Sequence, residues 1–260
     1  MSPVKDQKSC GGCYAFSMIG SIEAQLAIQN YTSYNLSLQQ LLACDRKQHP
    51  EYKVANKGCN GGYFLVAAYY LIENAIVNEH AYPFNIEESD MCKNVKSLNS
   101  KRIKNYDAGY IKTNNLNTIK ILEENMLKRL EKGPVAVGIA VHSNMYYYDK
   151  GIYDDSCGDE INHAVILIGV TDEYWLIQNS WSSEWGEKGY MKIARNETDP
   201  CQLLRYWFQP IEFKNVSSGI VTNDIKDNHK DIASNIFSSY RSKNCNKTQC
   251  SSLKCLTEED

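Results

Sequence analysis

Ten of the 260 residues are cysteine, and how they divide among bridges, metal and chemistry restricts the fold more than any other feature of the chain. The first two stand close together, in Gln7-Lys-Ser-Cys10-Gly-Gly-Cys13-Tyr-Ala-Phe-Ser17. A Cys-x-x-Cys can be half a zinc site, a redox pair, the ends of two different disulfides, or a nucleophile beside a structural bridge. So many cysteines fit an oxidising compartment. Five Asn-x-Ser/Thr sequons, at Asn30, Asn35, Asn196, Asn215 and Asn246, point the same way. No signal peptide follows Met1, so the sequence reads as a mature form or a fragment of a secreted, lysosomal or vacuolar protein.

The chain is long enough for one large domain or two lobes with a real core. Its net charge of −3 implies no nucleic-acid partner. No stretch approaches the roughly 20 apolar residues that span a membrane.

Apolar periodicity changes along the chain. Residues 14–29 put Ala15, Ile19, Ile22 and Leu26 on one helical face, with the helix starting at or just before Cys13 and Gly20 as a small cost in its middle. Ser37-Leu-Gln-Gln40 has capping-box form and opens a short helix. Residues 62–75 place Leu65, Ala68, Tyr69 and Ile72 together. Residues 117–132 stripe Ile119, Leu122, Met126 and Leu130 before Gly133-Pro134. From there short runs rich in β-branched and aromatic residues read as strands, at 135–141, 163–170, 173–181 and 190–195. Helices first and strands later predict an α+β fold, in two lobes. Beyond Lys214 the composition turns to Asn, Ser, Lys and Asp. Residues 214–260 are therefore expected to form an extension to a domain spanning 1–213.

A structural zinc site needs a second close ligand pair, and none follows Cys13. No metal site or cofactor is read. A thioredoxin-like pair needs a strand before it in a βαβ unit, and the residues before Cys10 are too few. A nucleophilic cysteine needs a helix N-terminus, an imidazole and a group that orients the imidazole. Cys13 opens the best helix. His163 opens an apolar strand and Asn179 ends the next one. If those strands pair around 169–173, His163 and Asn179 lie at the same end. His49, alone in a loop, reads as a solvated residue.

These residues stand within a longer series: Pro3-Val-Lys-Asp-Gln7, Cys10-Gly-Gly-Cys13-Tyr-Ala-Phe-Ser, Leu-Leu-Ala-Cys44-Asp, Gly58-Cys59-Asn60-Gly61-Gly62-Tyr63, Tyr82-Pro83-Phe84, Gly133-Pro134-Val135, Asn162-His163-Ala164-Val165 and Gln178-Asn179-Ser180-Trp181. In this order they resemble the papain-like cysteine peptidases, including the cathepsins, from about Pro3 to Phe213. His163 follows Cys13 by 150 residues, within the family's roughly 130–150. The resemblance implies a two-lobe fold, a helical left lobe and a β-barrel-like right lobe, with the active site in the cleft between them. It implies a cysteine-type endopeptidase acting on polypeptides, with its own propeptide or protein inhibitors as further partners.

Residue by residue, the resemblance makes Cys13 the nucleophile and His163 its base and acid, with Asn179 orienting the imidazole. Gln7, with the Cys13 N–H, forms the oxyanion hole, and Trp181 shields the His–Asn bond. It pairs Cys10 with Cys59, Cys44 with Cys92 and Cys157 with Cys201. Gly61 and Gly62 would pair with an extended substrate. Tyr63, Phe64, Gly138, Ile161 and Ala164, with Arg205 or Tyr206 at the floor, would line the pocket for the side chain second before the cleaved bond. That lining predicts a preference for a bulky apolar or aromatic residue.

The chain departs from the family's pattern in places. Tyr14 stands for a usual Trp, Gly12 for Ser or Ala, and Ser182 for a common Gly. Residues 45–58 look expanded, and a lead-in strand before Gln7 is expected to be missing. Cys245, Cys250 and Cys255 are an odd number. The alternatives are a binding pseudoprotease on the same fold, which would leave Cys13 inert to thiol reagents, and an acyl transferase, which would need an amine acceptor.

Overall fold

A computed structural model of the chain describes residues 1–31, 35–199 and 201–220, and of 96–99 and 217–220 the backbone only. The stretch with Cys245, Cys250, Cys255 and Asn246 lies outside the described residues.

Helix α1 (Cys13–Ile28) starts without a side-chain cap, because Gly12 precedes it. Every residue from Tyr14 to Leu26 is buried, so α1 has no solvent face. The physical reason is that both lobes pack on it. Ser21 Oγ donates to the Pro134 carbonyl, and Ser17 Oγ bonds back to Cys13, which lets polar residues sit inside. Gly20 is more than a propensity cost: a Cβ there would lie 2.2 Å from Ile166 Cδ1. Its absence lets the strand that carries Ile166 cross the helix.

Helix α2 (Leu38–Cys44) is capped by Ser37, whose oxygen accepts from the Gln40 N–H at 3.0 Å. Only half of the expected capping box forms. Gln40 turns away and ties Tyr70, Ala75 and Val77. Helix α3 (Phe64–Glu73) buries Leu65 and Ala68 of the expected face together with Phe64, Val66, Ala67, Tyr70 and Leu71, while Tyr69 and Ile72 are half-buried. Helix α4 (Leu116–Leu130) buries Ile119, Leu122 and Met126.

The strands are β1 (Lys96–Tyr110), β2 (Val135–Ile139), β3 (Ile152–Tyr153), β4 (His163–Val170), β5 (Tyr174–Gln178), β6 (Tyr190–Ala194) and β7 (Tyr206–Ile220). They form one sheet in the order β1-β7-β2-β4-β5-β6-β3, antiparallel except for β3 beside β6. Strand β7 passes the composition change at Lys214 and pairs along β1 to Ile220.

The apolar residues divide into two main cores. One gathers the sides of α1, α2 and α3. The other lies between β2, β4, β5, β6 and α4. This is the α+β two-lobe architecture, with α1 and β4 at the junction. Disulfides Cys10–Cys59, Cys44–Cys92 and Cys157–Cys201 close loops of 49, 48 and 44 residues, each stabilising by roughly 3–4 kcal/mol in the chain-entropy account.

His49 is not solvated. It is 1% exposed, stacked on Tyr52 at 4.5 Å and edge-on to Tyr69 at 5.0 Å. Its Nδ1 accepts from the Glu51 and Tyr52 N–H groups. Burial lowers its pKa to about 4. The residue is the plug of the 45–58 loop.

Candidate active site

Among the described residues Cys13 is the one free cysteine, and it is half-buried. It is the first residue of α1. The first turn has no side-chain cap; the Ala15 and Phe16 N–H groups donate to the Gly12 carbonyl, and those of Cys13 and Tyr14 bear on the sulfur. Helix N-terminal N–H groups favour a thiolate. Burial works the other way and raises the Cys13 pKa above 9.0. The Ala164 N–H also faces the sulfur, which sets the thiol beside the start of β4, where His163 stands.

His163 is buried and lies opposite Ile139 in the β2–β4 ladder. Its Nε2 meets Asn179 Oδ1 at 2.8 Å. An amide oxygen accepts only, so Nε2 carries the proton and Nδ1 is left as the base. Burial lowers the imidazolium to about 4, against the stabilising bond from Asn179. Trp181 stacks on the imidazole at 4.6 Å and on Tyr146 at 4.9 Å.

Gln7 joins the same network. Its Nε2 donates to the Cys10 carbonyl at 2.9 Å, and its Oε1 accepts from Ser180 Oγ at 2.6 Å. Its backbone N–H donates to the Ser180 carbonyl. Residues Asp6 and Trp181 form a β-bridge, and the Ser182 N–H donates to the Lys5 carbonyl. Ser182 adopts φ +73° in this turn, the region that explains why glycine is common there. Ser180 is a neighbour of this network that residue types alone do not single out. The Cys10 carbonyl, which only accepts, turns the nitrogen end of the Gln7 amide toward itself, the Ser180 hydroxyl donates to the oxygen end, and the Ser180 N–H donates to Asn179 Oδ1.

At the substrate side, Gly61 has φ +100° and Gly62 lies against Tyr14 and Asn56. Gly62 N–H and C=O have no hydrogen-bond partner among the described residues. Gly138, Ile161 and Tyr206 meet: a Cβ on Gly138 would lie 2.7 Å from Ile161 Cγ2 and 2.9 Å from Tyr206 Cδ1. Ala164 faces Gly138 across the ladder. Tyr206 stacks on Phe64 at 4.5 Å, and the Phe64 N–H donates to its hydroxyl. Phe64 is 0% exposed, so it offers no surface of its own to a bound side chain, unlike the lining role expected for it. Arg205 is drawn elsewhere, into a buried pair with Asp199 at 3.1 Å.

The sequence model of the papain family cysteine proteases matches residues 1–211. The chain belongs to this family. Mouse cathepsin S is 36% identical over 219 residues, which is 81% of this chain and 60% of that protein. Falcipain-2b of Plasmodium falciparum is 36% identical over 222 residues, 79% of this chain and 41% of that protein. The chain therefore spans 60% and 41% of the length of these relatives.

Among solved structures, the Carica candamarcensis cysteine protease CMS1MS2 in complex with E-64 superposes with a TM-score of 0.66. It is 28% identical and covers 81% of this chain and 92% of its own. The bromelain protease of Ananas comosus in complex with the E64 inhibitor gives 0.64 at 28% identity, with 80% and 93% covered. Papain-family membership and the two-lobe fold thus agree. Among the described residues no helix is long and apolar enough to cross a membrane.

Proposed function

We propose that the chain is a cysteine endopeptidase that hydrolyses polypeptides through an acyl-enzyme, with Cys13 as nucleophile. The observation that carries this reading is the convergence of a free thiol at a helix N-terminus with a buried imidazole held by Asn179 at 2.8 Å. The proton moves from Cys13 Sγ to His163 Nδ1, and the sulfur attacks the scissile carbonyl carbon. The oxyanion is received by the Cys13 N–H and Gln7 Nε2. His163 gives its proton to the departing amine as the C–N bond breaks, leaving a thioester. Water then attacks the thioester, His163 takes its proton, and the acid leaves as the thiol re-forms.

Gly62 offers its N–H and C=O to an extended substrate. The side chain second before the cut enters the space bounded by Tyr63, Gly138, Ile161, Ala164 and Tyr206, which takes an apolar residue. Polypeptides are the substrates, and a propeptide or protein inhibitor is the further class of partner. Three disulfides support an oxidising compartment, secreted, lysosomal or vacuolar.

The test is hydrolysis of fluorogenic peptides by the chain and by Cys13→Ser. Cleavage by the parent alone supports the reading. Tight peptide binding by a parent that cleaves nothing would favour the binding pseudoprotease.

A further inference from the structure

The loop 45–58 closes against the back of the Gly61–Tyr63 edge. Asn56 is buried there. Its Oδ1 accepts from the Tyr63 N–H at 2.6 Å. Its Nδ2 donates to Asp45 Oδ2 at 2.6 Å and faces the Tyr63 carbonyl at 3.4 Å. Beside it, the Lys57 N–H donates to the Gly61 carbonyl at 2.8 Å. A Cβ on Gly62 would lie 2.6 Å from both Asn56 Oδ1 and Tyr14 Cζ, so Asn56 and Tyr14 form the floor on which Gly62 rests.

The chemistry of an amide gives Asp45 its part. Only the oxygen end of Asn56 can accept from the Tyr63 N–H. The Asp45 oxygen on the opposite side accepts from the nitrogen end, so the two contacts select one orientation. Gly61 and Tyr63 are thereby tied from behind, while Gly62 between them keeps its N–H and C=O unused among the described residues.

We propose that Asn56, oriented by Asp45, is a positioning residue that sets the Gly61–Tyr63 edge for pairing with an extended substrate. The inference rests on the peptidase reading. Asn56 and Asp45 hold the edge on the residues before the cut and bond to none of Cys13, His163, Asn179 and Gln7. They therefore govern extended-chain binding and leave the thiol chemistry alone.

Kinetics on two substrates test it: an acylated tripeptide fluorogenic amide, which pairs along the edge, and a single-residue nitrophenyl ester, which does not reach it. Asn56→Ala is expected to raise KM for the tripeptide about tenfold, the worth of one well-made hydrogen bond. kcat for the tripeptide, and kcat/KM for the ester, are expected to stay within about twofold. Asp45→Ala is expected to reproduce the defect, and it carries the test alone should Asn56→Ala not fold. Asp45→Asn keeps an acceptor oxygen and is expected to restore the parent KM. Equal losses on both substrates, a loss in kcat instead of KM, or no loss at all would overturn the inference. A parent that turns over neither substrate would overturn the peptidase reading instead.

Discussion

His163 Nε2 and Asn179 Oδ1 lie 2.8 Å apart beneath the ring of Trp181. The bond fixes the tautomer that leaves Nδ1 for the thiol, and it strengthens when the ring is charged. A hydrogen bond to a charged group is worth about 1.5–3 kcal/mol. Asn179→Ala is therefore expected to lower kcat by roughly 10- to 150-fold with KM little changed, read from steady-state hydrolysis. An unchanged kcat would remove Asn179 from the mechanism.

Burial acts on both Cys13 and His163, the pair proposed above, and the signs set the pH profile. Adding a proton to the pair leaves a lone imidazolium, which burial disfavours, with His163 lowered to about 4. Removing a proton leaves a lone thiolate, which burial also disfavours, raising Cys13 above 9.0. A thiolate beside an imidazolium escapes both penalties because the charges cancel. kcat/KM is expected to hold a plateau from about pH 5 to about pH 8, falling on either side. Activity that emerges only above pH 8 would mean that the thiol is not paired.

Asp45 is buried, and desolvation lifts its carboxyl to about 7 from 3.8, against the Asn56 bond and the Arg46 charge. Between those values the folded chain keeps a proton that the unfolded chain has released. The stability contribution is complete below the lower value and is lost as pH rises through the upper one. His49, lowered to about 4, tilts the opposite way over about pH 4–6.5. Asp45→Asn removes only the Asp45 part. Measured by denaturant unfolding, it should gain on the parent by a few kcal/mol at most between pH 5 and pH 8. A gap that does not change with pH would contradict the buried, protonated carboxyl.

Tyr206 stacks on Phe64, the missing Cβ at Gly138 makes room for its ring, and the proposed side-chain pocket ends on it. Tyr206→Ala is expected to favour aromatic over valine side chains at the second position before the cut by about tenfold in kcat/KM, within the range for hydrophobic pockets. Profiling with a peptide library checks it. An unchanged profile would place the pocket elsewhere.

Much of this site is legible in the sequence, because Cys13, His163 and Asn179 sit at the ends of elements whose periodicity is strong. Helix α1 is legible for the same reason, but its burial on all sides is not, since Gly20 takes its meaning from Ile166 on another element. Strand β1 escapes a reading from pattern. Its run Lys-Ser-Leu-Asn-Ser-Lys-Arg-Ile-Lys-Asn-Tyr-Asp-Ala-Gly-Tyr is mostly polar, and its partner strand lies about a hundred residues away, so long-range pairing decides what local propensity does not. His49 is illegible on the same ground: Tyr69, which covers it, belongs to α3.

The most direct measurement is intact mass after treatment with a thiol-directed epoxide, on the parent, Cys13→Ser and His163→Ala. One adduct is expected on the parent, none on Cys13→Ser, and much slower labelling of His163→Ala. No adduct on a folded parent, or an adduct that persists in Cys13→Ser, would contradict Cys13 as the activated nucleophile.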